Sequence, residues 1–150
     1  MAINTYDTEL GPLTVASDGE SIIELYLGAY GGTQSRDALT DEAARQIAEY
    51  LAGGRTEFTL PLSPQGTAFQ QEVWAALLKI PFGKTRTYGE IALNIGRNLQ
   101  SARAVGMACA RNPIWLIIPC HRVIGSGGAL TGYAGGLDVK RRLLELENAI

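Results

Sequence analysis

The chain has 150 residues, of which 46% are hydrophobic and 19% charged, with a formal net charge of −2. That length suits one compact domain, or one with a small N-terminal appendage. No run reaches the roughly 18 apolar residues of a membrane span, MAINTYDTELG lacks the basic and apolar regions of a secretory signal, and the small acidic net charge alone argues against a polyanion binder.

Residues 4–27 alternate and turn, with Gly11-Pro12 and Asp18-Gly19 as turn signals, which predicts a small antiparallel meander. A loop over 28–39 leads to TDEAARQIAEYLAGG, a helix with Thr40 as N-cap, acids in its first turn and Gly53-Gly54 as its stop. Residues 55–66 are an extended linker with two prolines. From Thr67, AFQQEVWAALLKI places Phe69, Val73, Trp74, Leu77 and Leu78 on one helical face, and Pro81 ends the helix. TYGEIALNIG (87–96) and SARAVGMACARN (101–112) are two short helices around a tight Gly-containing connection, the pattern of a helix-turn-helix. A strand-like run, Trp115–Ile118, leads into Pro119 and then Cys120, His121 and Arg122. After a loop with six glycines over 125–136, LDVKRRLLELENAI closes the chain as an amphipathic helix, with Leu137, Leu143, Leu144 and Ile150 apolar and Lys140, Arg141 and Arg142 solvated. The fold class expected is α+β: a small N-terminal antiparallel β/α domain with its linker over 1–66, then a helical C-terminal domain over 67–150 with a winged-helix-like helix-turn-helix.

Charge is distributed unevenly: net −7 over 1–66, +5 over 67–122 and 0 over 123–150. A basic middle on an acidic chain is a local footprint of the kind that binds polyanions, although a solvated surface of fluctuating charge reads the same way.

Cys120 and the only histidine, His121, are adjacent. A thiol with a pKa near 8.5 is mostly protonated at pH 7, and acts as a nucleophile only beside a base, a cation or a helix N-terminus. His121 and Arg122 supply the first two. Neighbours in sequence do not face each other in regular structure, so contact requires a turn or a bridging water, and Pro119 favours the former. An imidazole base also needs an orienting carboxylate; downstream of His121 the acids are Asp138, Glu145 and Glu147. A buried core thiol beside a surface histidine is the alternative, and Cys109, with no such neighbours, fits that description. Two cysteines at this spacing make no disulfide framework and no zinc site, so neither metal nor cofactor is expected, and a reducing cytoplasm is the expected compartment.

FQQEVW, IPFGKTRTYGEIA, RAVGMACARNP, IPCHRVIG and GYAGGLDVKRRLLELE together resemble the O6-alkylguanine-DNA alkyltransferases, densely from about Phe69 to Glu147. The resemblance implies direct reversal of O6-alkylguanine in double-stranded DNA: one irreversible alkyl transfer per molecule, with base flipping and minor-groove binding by a monomer. Cys120 matches the alkyl acceptor, His121 the base that activates it through a water, and Glu147 the carboxylate behind that histidine. Asn112 matches the residue holding the helix-turn-helix against the active-site segment, and Tyr88 the tyrosine that assists guanine's departure and, on the DNA side, helps swing the nucleotide. Arg103 matches the arginine that enters the duplex, with Ala104 and Arg122 also on the DNA side. Tyr133, the Ala134 amide, Val123 and Trp115 match the substrate pocket. The turn GRNLQSAR is one residue longer than the common form and lacks its proline, and Trp115 stands where a small residue or proline is usual. The presence of Cys120 distinguishes the chain from the related alkyltransferase-like proteins, in which that cysteine is replaced. Three other readings stand beside this one: a damage-recognition module without transfer, a cysteine hydrolase, which would need an oxyanion hole, and a helix-turn-helix transcription factor.

Overall fold

The computed structural model describes residues 1–133 and 136–150. Two compact units divide the chain: Met1–Gln65 with Pro113–Trp115, and Gly66–Asn112 with Leu116–Ile150. The fold is α+β, a small antiparallel sheet unit and a largely helical one.

In the first unit β1 (Ala2–Thr8), β2 (Gly11–Ser17) and β3 (Ile22–Leu27) form an antiparallel sheet in that order. The first turn falls at Glu9-Leu10, and Gly11-Pro12 opens β2, because Gly11 with φ of +98° restarts the pairing opposite Thr8. β2 is central and buried from Leu13 to Ser17, so its pattern is continuous rather than alternating. The buried Thr14 hydroxyl donates to the Gly28 carbonyl at 2.8 Å. α1 (Ala38–Leu51) packs on this sheet through Ala43, Ile47 and Tyr50. Its N-cap is Asp37, not Thr40: the Asp37 carboxylate accepts from the Thr40 amide at 2.8 Å and the Thr40 hydroxyl accepts from the Asp37 amide at 3.0 Å. Thr40 is the third helical residue of this capping box. The outer edge of β3 is covered by residues 61–63 at Ile22 and by Pro113–Trp115 at Leu25.

The second unit holds α2 (Ala68–Leu77), α3 (Tyr88–Asn94), α4 (Ala102–Ala110) and α5 (Leu137–Leu146). Capping boxes Thr67/Gln70 and Thr87/Glu90 start α2 and α3. Trp74 of α2 is buried and its indole N–H donates to the Ala108 carbonyl of α4 at 2.9 Å, fixing two helices that also share Val73, Leu77 and Val105 as core. Leu78, expected on the buried face, is 48% exposed because α2 ends at Leu77 and the chain turns away. Between α3 and α4 the longer turn forms one 3₁₀ turn, Leu99–Ser101, capped by Asn98, whose side chain accepts from the Gln100 amide at 3.0 Å. β4 (Arg86–Thr87) pairs in parallel with β5 (Val123–Ile124), which brings the start of α3 beside the chain that follows Cys120. The run Trp115–Ile118 is buried, as its composition suggests, but it is not a strand: Trp115 pairs with β3 and Leu116 turns the chain at a φ of +75°.

Candidate active site

Asn112 follows α4 and ties it to the Cys120 segment. Its side-chain amide donates to the Ile118 carbonyl at 2.8 Å and to the Cys120 sulfur at 3.4 Å. Cys120, His121 and Arg122 occupy one 3₁₀ turn. Three residues per turn point successive side chains about 120° apart, so the three adjacent groups fan out. All three are buried, with His121 fully enclosed.

Behind the turn lies Glu147, at the C-terminal end of α5 and 2% exposed. His121 Nε2 is 2.7 Å from Oε2 of Glu147. The Arg122 guanidinium donates through Nε to Oε1 at 2.8 Å and through Nη2 to Oε2 at 3.0 Å, and its Nη1 donates to the Ile80 carbonyl at 2.7 Å. The Gly83 amide donates to Oε1 at 3.2 Å. Gly83 has a φ of +82°, and a Cβ there would stand 3.1 Å from the Glu147 carbonyl, so the close approach requires glycine. His121 Nδ1 is buried with no protein hydrogen-bond partner among the described residues.

Burial pushes the Cys120 thiol above its ordinary value, against the Asn112 amide, the Lys140 ammonium and the Tyr133 side chain, which favour the thiolate. Burial pushes Cys109 further, up to about 12. Burial also holds His121 below its ordinary value; Glu147 opposes this, while Arg122 and Lys140 reinforce it. The resting pair is therefore a thiol and a neutral imidazole.

A cleft of about 660 Å3 opens beside this centre, lined by Tyr88, Arg103, Met107 and Thr131 together with Tyr133 and the small residues of α4. The Thr131 hydroxyl donates to the Tyr88 oxygen at 3.3 Å, which links α3 to the glycine-rich segment. Arg103 and Ala104 are exposed on α4. Lys140, expected in solvent, is fully buried: Nζ donates to the Val123 carbonyl at 2.6 Å and the Thr131 carbonyl at 3.0 Å, with the rings of Tyr88 and Tyr133 each 5.8 Å away.

The structure thus gathers Cys120, His121, Glu147 and Asn112 into one centre and sets Tyr88, Arg103 and Tyr133 on the cleft. Arg122 departs from expectation: with both edges of its guanidinium used on Glu147 and Ile80 and 7% of its surface exposed, it does not stand on a DNA-facing surface. Trp115 is buried in the first unit, its amide donating to Leu25 of β3 at 3.0 Å, and does not line the cleft. Val123 is buried in β5 and contributes its carbonyl to Lys140 rather than its side chain to the cleft. Ala134 lies outside the described residues. Sequence reasoning missed Lys140, Gly83, Thr131 and Met107. For Lys140 a signal existed, because it precedes Leu143 and Leu144 by three and four positions and shares their helical face.

The fold and this centre define a two-unit α+β protein whose helical unit combines a helix-turn-helix with a buried cysteine, histidine and glutamate. Residues 68–149 match the family described as 6-O-methylguanine DNA methyltransferase, DNA binding domain, and residues 1–64 match its ribonuclease-like domain. Among relatives, a methylated-DNA–protein-cysteine methyltransferase of Methanosarcina acetivorans is 46% identical over 153 residues, covering 96% of each chain. One from Mycobacterium tuberculosis is 49% identical over 151 residues, covering 97% of this chain and 91% of its own. The M. tuberculosis OGT protein, solved in complex with DNA, superposes with a TM-score of 0.91 at 47% identity over 99% of this chain and 94% of that one. The chain belongs to the 6-O-methylguanine DNA methyltransferase family. It is a DNA-repair methyltransferase that carries a DNA-binding domain. Among the described residues, no helix is long and apolar enough to cross a membrane.

Proposed function

We propose that this enzyme removes the alkyl group from O6-alkylguanine in duplex DNA by transferring it irreversibly to Cys120, once per molecule. The observation that carries this reading is the buried Cys120 thiol held by Asn112 at 3.4 Å, in one 3₁₀ turn with a histidine whose Nε2 is committed to Glu147 and whose Nδ1 has no protein partner among the described residues. That nitrogen is an acceptor suited to a water between it and the thiol.

A proton leaves Cys120 through the water to His121 Nδ1. The thiolate then attacks the alkyl carbon; the S–C bond forms as the C–O6 bond breaks, and the electron pair leaves with guanine, which takes up a proton and stays in the DNA. Tyr88, on the cleft, assists that departure. Nothing then breaks the thioether, so the protein is consumed.

A base within the stack is out of reach of a buried thiol, so the nucleotide must be flipped. Arg103, exposed on a helix rich in small residues, fills the space it leaves, and Ala104 allows close approach to the minor groove. Tyr133 and the Ala134 amide take the base. Exposed Lys79, Lys84, Arg97 and Arg111 support salt-sensitive, sequence-independent contact with phosphates. We assign the working form as a monomer in the cytoplasm, where a reducing environment keeps Cys120 free.

Intact mass after mixing with duplex DNA carrying one O6-methylguanine tests this. The expected result is one added methyl, mapped to Cys120 and absent from Cys109, with repair stopping at one equivalent. An adduct on Cys109, or demethylated DNA with no adduct or beyond one equivalent, overturns it.

A further inference from the structure

We propose that Arg122 is a positioning residue of the alkyl-transfer centre: together with the Gly83 amide it holds Glu147 as a fully occupied carboxylate, so that the proton taken from Cys120 stops on His121. This rests on the reading above that His121 is the base.

An ionised carboxylate has about four lone-pair sites and no donor. Glu147 receives donors from Arg122 Nε and Gly83 N on Oε1, and from Arg122 Nη2 and His121 Nε2 on Oε2. The four come from two parts of the chain, the 3₁₀ turn and the Ile80–Gly83 segment. Every site is taken, so a proton arriving on Glu147 would have to displace one of these donors within a buried centre. The same geometry fixes the imidazole tautomer. A carboxylate can only accept, so Nε2 carries the hydrogen and Nδ1 keeps its lone pair for the thiol's proton.

Charge balance points the same way. At rest the buried trio is neutral: Arg122 positive, Glu147 negative, His121 uncharged. The trio becomes cationic when His121 takes the proton, and the thiolate supplies the matching negative charge. Removing Arg122 would leave a net negative site that draws a proton onto His121 before any substrate arrives. The charged and titratable groups that face His121 are Glu147, which favours its protonation, and Arg122 and Lys140, which oppose it, with Cys120 beside it in the turn. Arg122 is itself held in place by the Ile80 carbonyl and by the Phe82 ring, 5.9 Å from the guanidinium carbon. The pairing thus explains why an arginine belongs next to the histidine even though it does not face the cleft.

The test is the rate constant for benzyl transfer from free O6-benzylguanine to Cys120, followed from about pH 5.5 to about pH 9. Arg122→Gln should move the acid limb upward by about one unit, so that on that limb the variant loses up to about tenfold more rate than it does near pH 8. Arg122→Lys keeps the charge, and its limb should stay at the wild-type position even if the plateau falls. A loss by the same factor at every pH, or no loss in Arg122→Gln, overturns the proposal. If Arg122→Gln does not fold, the wild type still decides: the single histidine can be followed by NMR. An Nε2–H, Nδ1-unprotonated imidazole at neutral pH is expected, and an Nδ1–H tautomer or an imidazolium overturns the proposal. Failure of the wild type to form any Cys120 adduct would instead sink the alkyl-transfer reading, while the tautomer would still report on the Glu147 contacts.

Discussion

Cys120 and His121 stood out in the sequence as a candidate pair because a thiol, an imidazole and a preceding proline lie within three residues. Their partners were less so. Glu147 was one of three downstream acids, and only the family resemblance singled it out. Arg122 was misread because sequence adjacency says nothing of direction: in a 3₁₀ turn it swings onto Glu147 rather than outward. Lys140 was hidden in a run of three basic residues, though its spacing to Leu143 and Leu144 carried the information. Its burial makes it a structural tie: one ammonium holds the Thr131 carbonyl of the glycine-rich segment and the Val123 carbonyl of β5. Lys140→Met keeps most of the stem volume and removes both bonds. It should cost about 1–3 kcal/mol, since hydrogen bonds to charged groups are the stronger kind and their loss is only partly offset by no longer burying a charge. Faster amide exchange over 125–133 than elsewhere in the second unit checks it; uniform acceleration would mean that the tie is not local.

At the scale of elements, the helices were readable from their punctuation. Thr67 and Thr87 cap α2 and α3 with Gln70 and Glu90 three residues on. The same logic put Thr40 one box position too late, because Asp37 and Thr40 are both good caps and only the backbone shows which is extended. The apolar run before Pro119 read as a strand because bridge pairing and a left-handed Leu116 leave no mark in composition. α4 joins element to function. Trp74 pins it from behind through Ala108, while Arg103 and Met107, one turn apart, face the cleft. Arg103→Ala should therefore leave the fold and the reaction with free O6-benzylguanine almost unchanged. It should slow repair of duplex DNA severely, by a few kcal/mol, about the scale of unstacking a base. Second-order rate constants on the two substrates separate these; equal losses would assign Arg103 to the fold or the reactive centre.

Across the whole molecule, the change of stability just below neutral pH turns on one group. The chain has one histidine, it is fully buried, and burial holds it below its ordinary value. The unfolded chain therefore binds a proton that the folded chain refuses. With more protons on the unfolded state, stability rises with pH through this window and levels off above about pH 6.5. Below that, each unit of pH should cost about 1.4 kcal/mol until the folded imidazole itself titrates. Denaturant midpoints at about pH 7.5, 6.5 and 5.5 check this, the carboxylates still being ionised in the unfolded chain over that range. A flat midpoint would mean that His121 is already charged in the native protein.

The Pro113–Trp115 segment that covers β3 bears on how the protein is made. On the ribosome, Met1–Gln65 emerges with β1, β2 and most of α1's packing surface complete, yet Leu25 of β3 still lacks the backbone partners that Pro113 and Trp115 later supply. About fifty residues must follow first, which at about 5–20 residues per second is a wait of several seconds with part of a sheet edge uncovered. The nascent first unit is thus completed by the stretch just ahead of Pro119-Cys120, so Cys120 is translated within a few residues of the segment that finishes the domain before it.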